Sequence, residues 1–147
     1  MSLLNLYVWD ADMVCKIPVA VAEATSADFQ KTMSWQTQWT SNAVSEMPNK
    51  VALHRRNDGE LLGLMSYELN QSGLAVEIIY LESAGHSNPN LLAQEGKKKK
   101  YYGIAKALFA YAAQISLSAG FGGVIFFKAK TTRLRKYYIR QFGAMPL

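Results

Sequence analysis

Several chemistries lack their raw material in this chain. A single cysteine, Cys15, stands in 147 residues. That excludes an internal disulfide and a thiolate metal cluster, and a reducing cytoplasm is the simplest setting for it. The two histidines, His54 and His86, are isolated from one another, no cluster has metal-ligand spacing, and no metal is expected. His86 lies near Ser83 and Ser87, but nothing in the spacing marks a catalytic triad, so each histidine reads as a surface or structural residue. No apolar run approaches the roughly 20 residues of a membrane span. The opening residues MSLLNLYVWDAD carry no basic segment and are broken by Asp10 and Asp12, so no signal peptide is expected. Internal repeats and long linkers are missing as well.

What is present suits one folded domain over residues 1–147. Half the residues are apolar and 18% are charged, a composition that folds rather than stays disordered. The formal net charge is +5, which favours anionic partners without naming one. The excess is concentrated. Lysines fill positions 97–100, and Lys128, Lys130, Arg133, Arg135, Lys136 and Arg140 form a second group.

The pattern of apolar residues predicts an α/β protein of the α+β type, in the order β-α-β-β-β-α-β-α. Residues 3–9 read as a first strand, with Leu6 and Val8 alternating. Ser26 and Asp28 start a helix running through Gln30, Met33 and Gln36. That helix would place Trp35 and Trp39 on one face, either on the core or around a pocket. Residues 51–56 and 60–67 flank Asn57-Asp58-Gly59 and predict a hairpin. Asn70 to Gly73 predicts a second turn into a strand over 74–82, which completes an antiparallel meander. The run AVEIIYL is nearly apolar throughout, as in a strand covered on both faces. Ile104, Leu108, Tyr111 and Ile115 share a helical face over 103–119, with Gly120 as its stop. A buried strand over 124–127 and a basic helix over 131–142 follow. The strand at 74–82, the helix and the strand at 124–127 predict a parallel strand–helix–strand unit.

The lysine run enters this helix through Tyr101, Tyr102 and Gly103. The first N–H groups of a helix lack backbone partners, and the dipole adds positive charge there. A glycine at the turn allows close approach by a ligand. These are the ingredients of a phosphate site centred on Gly103, although the P-loop pattern is absent.

At this point the sequence resembles the GNAT superfamily of acyl-CoA-dependent N-acetyltransferases. Lys100-Tyr-Tyr-Gly103-Ile-Ala105 is similar to the family motif Gln/Arg-x-x-Gly-x-Gly/Ala, with lysine in the first position. Lys106-Ala-Leu108 looks like the first turn that follows it. GFGGVIFF, from Gly120, looks like the fifth strand, and RKYYIRQFGA, from Arg135, looks like the last helix. The resemblance implies a GNAT-like mixed sheet, with acetyl-CoA as co-substrate and a primary amine as acceptor. It implies that the backbone of Lys100, Tyr101, Tyr102, Gly103, Ile104 and Ala105 holds the pyrophosphate of coenzyme A. It also implies that Leu81, Glu82 and Ser83 pair with the pantetheine arm. It implies Glu77 as the general base that takes the proton of the acceptor amine. Glu82 is the alternative, on the opposite face if the strand alternates regularly. Tyr138 is the candidate acid for the leaving thiolate, although the family tyrosine lies where this chain has Ile139. The family's asparagine after the fifth strand is replaced, with Thr131 nearby.

Family members usually continue into two more strands, whereas here Ala144, Met145, Pro146 and Leu147 follow Gly143. The resemblance therefore implies a short variant, and two readings of the edge of the strand at 124–127 stay open: cover by a second protomer in a homodimer, or a shortened fold. Two other readings stay open. One is a catalytically degenerate member that binds coenzyme A or a partner. The other, less favoured because no recognised RNA or DNA motif is present, is a nucleic-acid binder using the lysine run with Tyr101 and Tyr102. No membrane partner is expected.

Overall fold

A computed structural model describes residues 5–88, 92, 96–127, 136 and 140. They form a mixed α+β fold around one curled, seven-stranded sheet. The strands are β1 (Leu6–Asp10), β2 (Cys15–Glu23), β3 (Lys50–Arg55), β4 (Leu61–Asn70), β5 (Ala75–Ser83), β6 (Tyr101–Tyr102) and β7 (Ile125–Phe127), in the spatial order β6-β1-β2-β3-β4-β5-β7. The helices are α1 (Ser26–Gln30), α2 (Asn42–Ser45) and α3 (Ile104–Ser118). Among the described residues, no helix is long and apolar enough to cross a membrane.

The expected meander is present: β3, β4 and β5 pair antiparallel in sequence order. Gly59, at φ +75°, closes the first turn, and the Asn70 side chain accepts the Gly73 N–H in the second. The crossover is present too, since β5 and β7 pair in parallel with Val76 opposite Ile125 and Ile78 opposite Phe127. The predicted basic helix over 131–142 lies outside the described residues, apart from Lys136 and Arg140, both exposed.

Three expectations need correction. A second strand, β2, follows β1 directly. The Asp10 carboxylate accepts the N–H groups of Asp12 and Met13, each at 2.9 Å, so the aspartate that seemed to interrupt an apolar run is the device that turns the hairpin. Pro18 obscured this strand in the sequence. It lies just outside the part of β2 paired with β3, which begins at Val19, where a missing N–H is tolerated. The helix at Ser26 is also shorter than its pattern suggested. Thr25 and Asp28 form a capping box, but the helix ends at Gln30, and Trp35 and Trp39 do not share a helical face. The third correction concerns β5. Tyr67 lies opposite Ile78 and Ser66 opposite Tyr80, so Ile79 is an extra residue, a β-bulge. Regular alternation puts Glu77 and Glu82 on opposite faces; the bulge puts them on the same one.

Each face of the sheet has its own core. Val8, Val19, Leu53, Leu62, Met65, Val76 and Ile78 pack against Ile104, Leu108 and Ala112 of α3. On the other face, Trp39 and Val44 from the α1–α2 segment pack on Ala52, Leu61 and Leu64. A Cβ on Gly63 would come within 2.8 Å of Ile104 Cγ2. Glycine there lets the first turn of α3 sit directly on β4.

Candidate functional site

The candidate site lies at the end of the sheet where β1, β3 and β5 finish and β2 and β4 begin. The chain returns there through residues 97–103. Lys100 N donates to the His86 carbonyl at 2.8 Å, and Ala11 N donates to the Lys100 carbonyl at 3.0 Å. Tyr101 and Tyr102 then pair with Asp10 and Trp9 as the short strand β6. Tyr101 is buried and Tyr102 exposed. Gly103 takes the left-handed conformation, φ +92°, and is the N-cap of α3 without any side-chain cap. The left-handed region is costly for any residue with a Cβ. The space beside Gly103 is open, since an added Cβ would meet nothing within 4 Å. Gly63 and Ile104 bring this helix start beside the last residues of β5, where the Glu82 carbonyl oxygen is 3.3 Å from a Cβ built on Gly63.

A polar network that the sequence did not reveal fixes the approach to Gly103. His86 Nε2 lies 3.1 Å from Glu60 Oε1, and its Nδ1 lies 2.7 Å from Ser87 Oγ. A carboxylate oxygen only accepts, so Nε2 carries the proton and Nδ1 accepts from the Ser87 hydroxyl. Ser87 Oγ in turn accepts the Tyr101 N–H at 3.0 Å. The Tyr101 hydroxyl accepts from Arg55 Nη1 at 2.5 Å, and Arg55 Nε holds Asp58 at 2.9 Å. The order serine–histidine–glutamate resembles a hydrolytic relay. However, Ser87 is buried and its oxygen is occupied by the Tyr101 N–H, so the arrangement clamps a loop and presents no nucleophile.

The electrostatics follow from these contacts. Burial pushes the His86 imidazole below its ordinary value; Glu60 opposes this, while Lys100 and Arg55 add to it. The neutral ring is therefore the resting form near pH 7. Burial, with Glu60 beside it, pushes the Tyr101 phenol up. The Arg55 guanidinium, with the Glu60 N–H, holds the Asp58 carboxyl at about 2. Desolvation pulls the Lys99 ammonium below its usual value.

On the sheet face away from α3, the end of β5 is braced by Glu82. Its carboxylate accepts the Gln36 N–H at 2.8 Å, the Thr37 N–H at 3.3 Å and the Trp39 indole N–H at 3.0 Å. Burial pushes this carboxyl up against the pull of those donors. Next to it opens a cleft of ≈460 Å³ lined by Lys31, Ser34, Trp35, Glu60, Leu61, Ala84, Gly85 and His86. The two readings of the tryptophans thus divide between them: Trp39 is core and Trp35 lines the cleft.

No protein-family model matches this chain, and no curated protein matches it.

Of the residues singled out from sequence, Lys100, Tyr101, Tyr102, Gly103, Ile104 and Ala105 come together as the loop and first turn of α3. Leu81, Glu82 and Ser83 form the end of β5, paired with Met65, Leu64 and Gly63 of β4. The described part of β7 reaches only as far as Ile78 on the other side. Glu77 is separate from this group. It lies mid-strand, between Glu68 of β4 and Phe126 of β7. Tyr138 and Thr131 lie outside the described residues. Among the described residues, no three His, Cys, Asp or Glu side chains gather as a metal site requires. Sequence reasoning missed Glu60 and Arg55, while His86, read as a surface or structural residue, has a structural role in the clamp. The signal for Glu60 and Arg55 was their position on either side of the Asn57-Asp58-Gly59 turn, which delivers both to the sheet end that carries the glycine helix start.

Proposed function

We infer that this chain is a GNAT-like, acyl-CoA-dependent N-acetyltransferase that moves an acetyl group from acetyl-CoA to a primary amine by direct attack. One observation carries the reading. An uncapped, glycine-led helix start sits beside the end of a bulged strand that, among the described residues, is paired on its β4 side alone, within a parallel strand–helix–strand unit. The open space at Gly103 and the N–H groups of Ile104 and Ala105 suit a pyrophosphate. Lys100, at the mouth of the loop, supplies charge for it. Beyond Ile78, the backbone of Leu81, Glu82 and Ser83 meets no described strand on its β7 side, which suits an extended amide-bearing arm added as a strand. A backbone N–H in this stretch is placed to stabilise the oxyanion that forms as the amine attacks the thioester.

In this reading, the buried Glu82 is a brace, and Glu77, half-buried in the strand, takes the proton from the acceptor amine. Tyr138 keeps the role of acid for the leaving thiolate.

Two outcomes test the reading. Acetyl-CoA at a hundred times its dissociation constant should stabilise the folded chain by about 2.7 kcal/mol, a rise of roughly 5–10 °C in the thermal midpoint. Gly103→Val, strained in its backbone, should erase the rise while the chain still melts cooperatively. No shift at saturating acetyl-CoA overturns the proposal. Glu77→Gln should keep the full shift and lose about 100-fold or more in turnover of a polyamine or peptide-amine panel. Unchanged turnover removes Glu77 from the chemistry, and a shift without turnover in the parent chain leaves a coenzyme A binder.

A further inference from the structure

Among the described residues, a further region of the sheet presents exposed side chains that the acyl-transfer reading does not use. Along β1, Val8 and Asp10 point into the molecule, so Tyr7 and Trp9 point out, 49% and 39% exposed. Tyr102 lies opposite Trp9 on β6 and is 48% exposed. Lys16 lies opposite Trp9 on β2. The three rings therefore form one patch, with cross-strand neighbours about 5 Å apart and same-strand neighbours about 7 Å apart. The α1–α2 segment covers this same face over β3, β4 and β5 but contributes no contact over β1 or β6 in its core cluster.

Cations are interleaved with the rings. Lys16 Nζ lies 4.4 Å from the centre of the Tyr7 ring, and Lys99 Nζ lies 5.3 Å from the centre of the Tyr102 ring. Lys97 and Lys98 follow on the exposed loop that leads into β6. Asp12, in the turn beyond Trp9, is the exposed acid nearby; Asp10 is buried and turned to its own backbone.

We propose that this aromatic and lysine-bordered face binds single-stranded nucleic acid. Flat π-faces at strand spacing accept successive bases, and ammonium groups between and beside them meet the phosphates. Every base has a π-face, so the site is tolerant of sequence. Rings lying flat on a sheet face meet bases only where those bases are unpaired and turned outward, so unpaired strands are the fitting partner. A lipid surface is the competing occupant, since Met13 and Val14 stand exposed at the β1–β2 turn. The charge favours the nucleic acid, because the lysines lie against the rings rather than in a separate flanking band.

Fluorescence anisotropy with labelled single-stranded oligothymidine and oligouridine, at low and moderate salt, tests the proposal on the full chain. Binding should be measurable at low salt and should be stronger for single strands than for a duplex of equal length. Trp9→Ala and Tyr102→Ala should each weaken it by about 5- to 150-fold, with the thermal midpoint checked in parallel. Lys98→Ala should leave the fold untouched and flatten the salt dependence by about 0.7 in log–log slope. Each of these results overturns the proposal: equal affinity for duplex and single strand, unchanged binding in the folded Trp9→Ala chain, or binding to anionic phospholipid vesicles that the oligonucleotide does not displace. Excess coenzyme A is the last arm. Full displacement of the oligonucleotide by it also overturns the proposal, assigning the patch to the nucleotide end of the acyl donor.

Discussion

Glu82→Ala should be among the most destabilising single substitutions in this protein, costing about 3–5 kcal/mol and lowering the thermal midpoint by roughly 6–20 °C. The residue is only 4% exposed. Its carboxylate is the acceptor for the N–H groups of Gln36, Thr37 and Trp39, and alanine removes the acceptor from all three, leaving the buried Trp39 indole N–H unpaired. The Trp39 ring also stacks near Phe29, at 6.5 Å, and meets Tyr80 edge-on, at 5.6 Å, so its disturbance spreads through the second core. A double-mutant cycle with Trp39→Phe separates the parts. Phenylalanine removes the indole donor, so the two substitutions together should cost clearly less than their sum; strict additivity refutes the brace. Glu82→Gln gives a pH test. Burial raises the folded-state pKa above the unfolded one, so the parent chain's contribution from this group is full below the ordinary glutamate value, about 4.3, and is lost as pH rises through the folded value. Glutamine does not titrate. The advantage of the parent over Glu82→Gln should therefore be widest in acid and shrink towards neutral pH, as read by denaturant melts.

Leu108→Ala should cost about 2–5 kcal/mol. Leu108 is fully buried, in the cluster that joins α3 to β4 and β5. Its Cδ1 lies 3.3 Å from the Cβ position built on Gly63, so the methyl groups fill the space that glycine leaves. Leu117, on the same helix, is 55% exposed, and Leu117→Ala should stay within about 0.5 kcal/mol. Chemical denaturation of the pair gives the contrast directly, and comparable losses would show that α3 does not rest on β4 through Leu108. In the acyl-transfer reading, Leu108→Ala should also reduce the acetyl-CoA-induced rise in midpoint, because the same contact seats the Gly103 helix start.

The sequence made the meander, the crossover and the glycine helix start legible because each has a local signature. Asp58-Gly59 demands one turn, Gly103 a left-handed cap, and the apolar run in β5 a strand with neighbours on both sides. The features that escaped were those that depend on distant partners. Nothing local distinguishes the bulge at Ile79, yet it decides which face Glu82 occupies. Nothing local predicts that Glu60, Arg55 and His86 will meet Tyr101, because the residues are brought together by sheet order alone. β2 was hidden by Pro18, whose cost depends on having one strand neighbour at that point rather than two. Trp35 and Trp39 carried helical spacing, but the capping box at Thr25 and Asp28 starts a helix that is released after Gln30, and tertiary contacts to Glu82 shape the rest.

The order β6-β1-β2-β3-β4-β5-β7 has a consequence for synthesis. Strands β1 to β5 can assemble one after another, each on its predecessor, as the chain emerges. The two outermost positions wait for residues 101–127, which supply β6 at one edge, β7 at the other and α3 across the face between them. Until that late segment arrives, the nascent sheet carries two open edges and an uncovered apolar face, a template for pairing with other chains. A ribosome stalled, or a chain cut, just before residue 101 should leave a species that aggregates, while the addition of one continuous segment pairs β1 and β5 at once and leaves the short strands β6 and β7 as the outer positions.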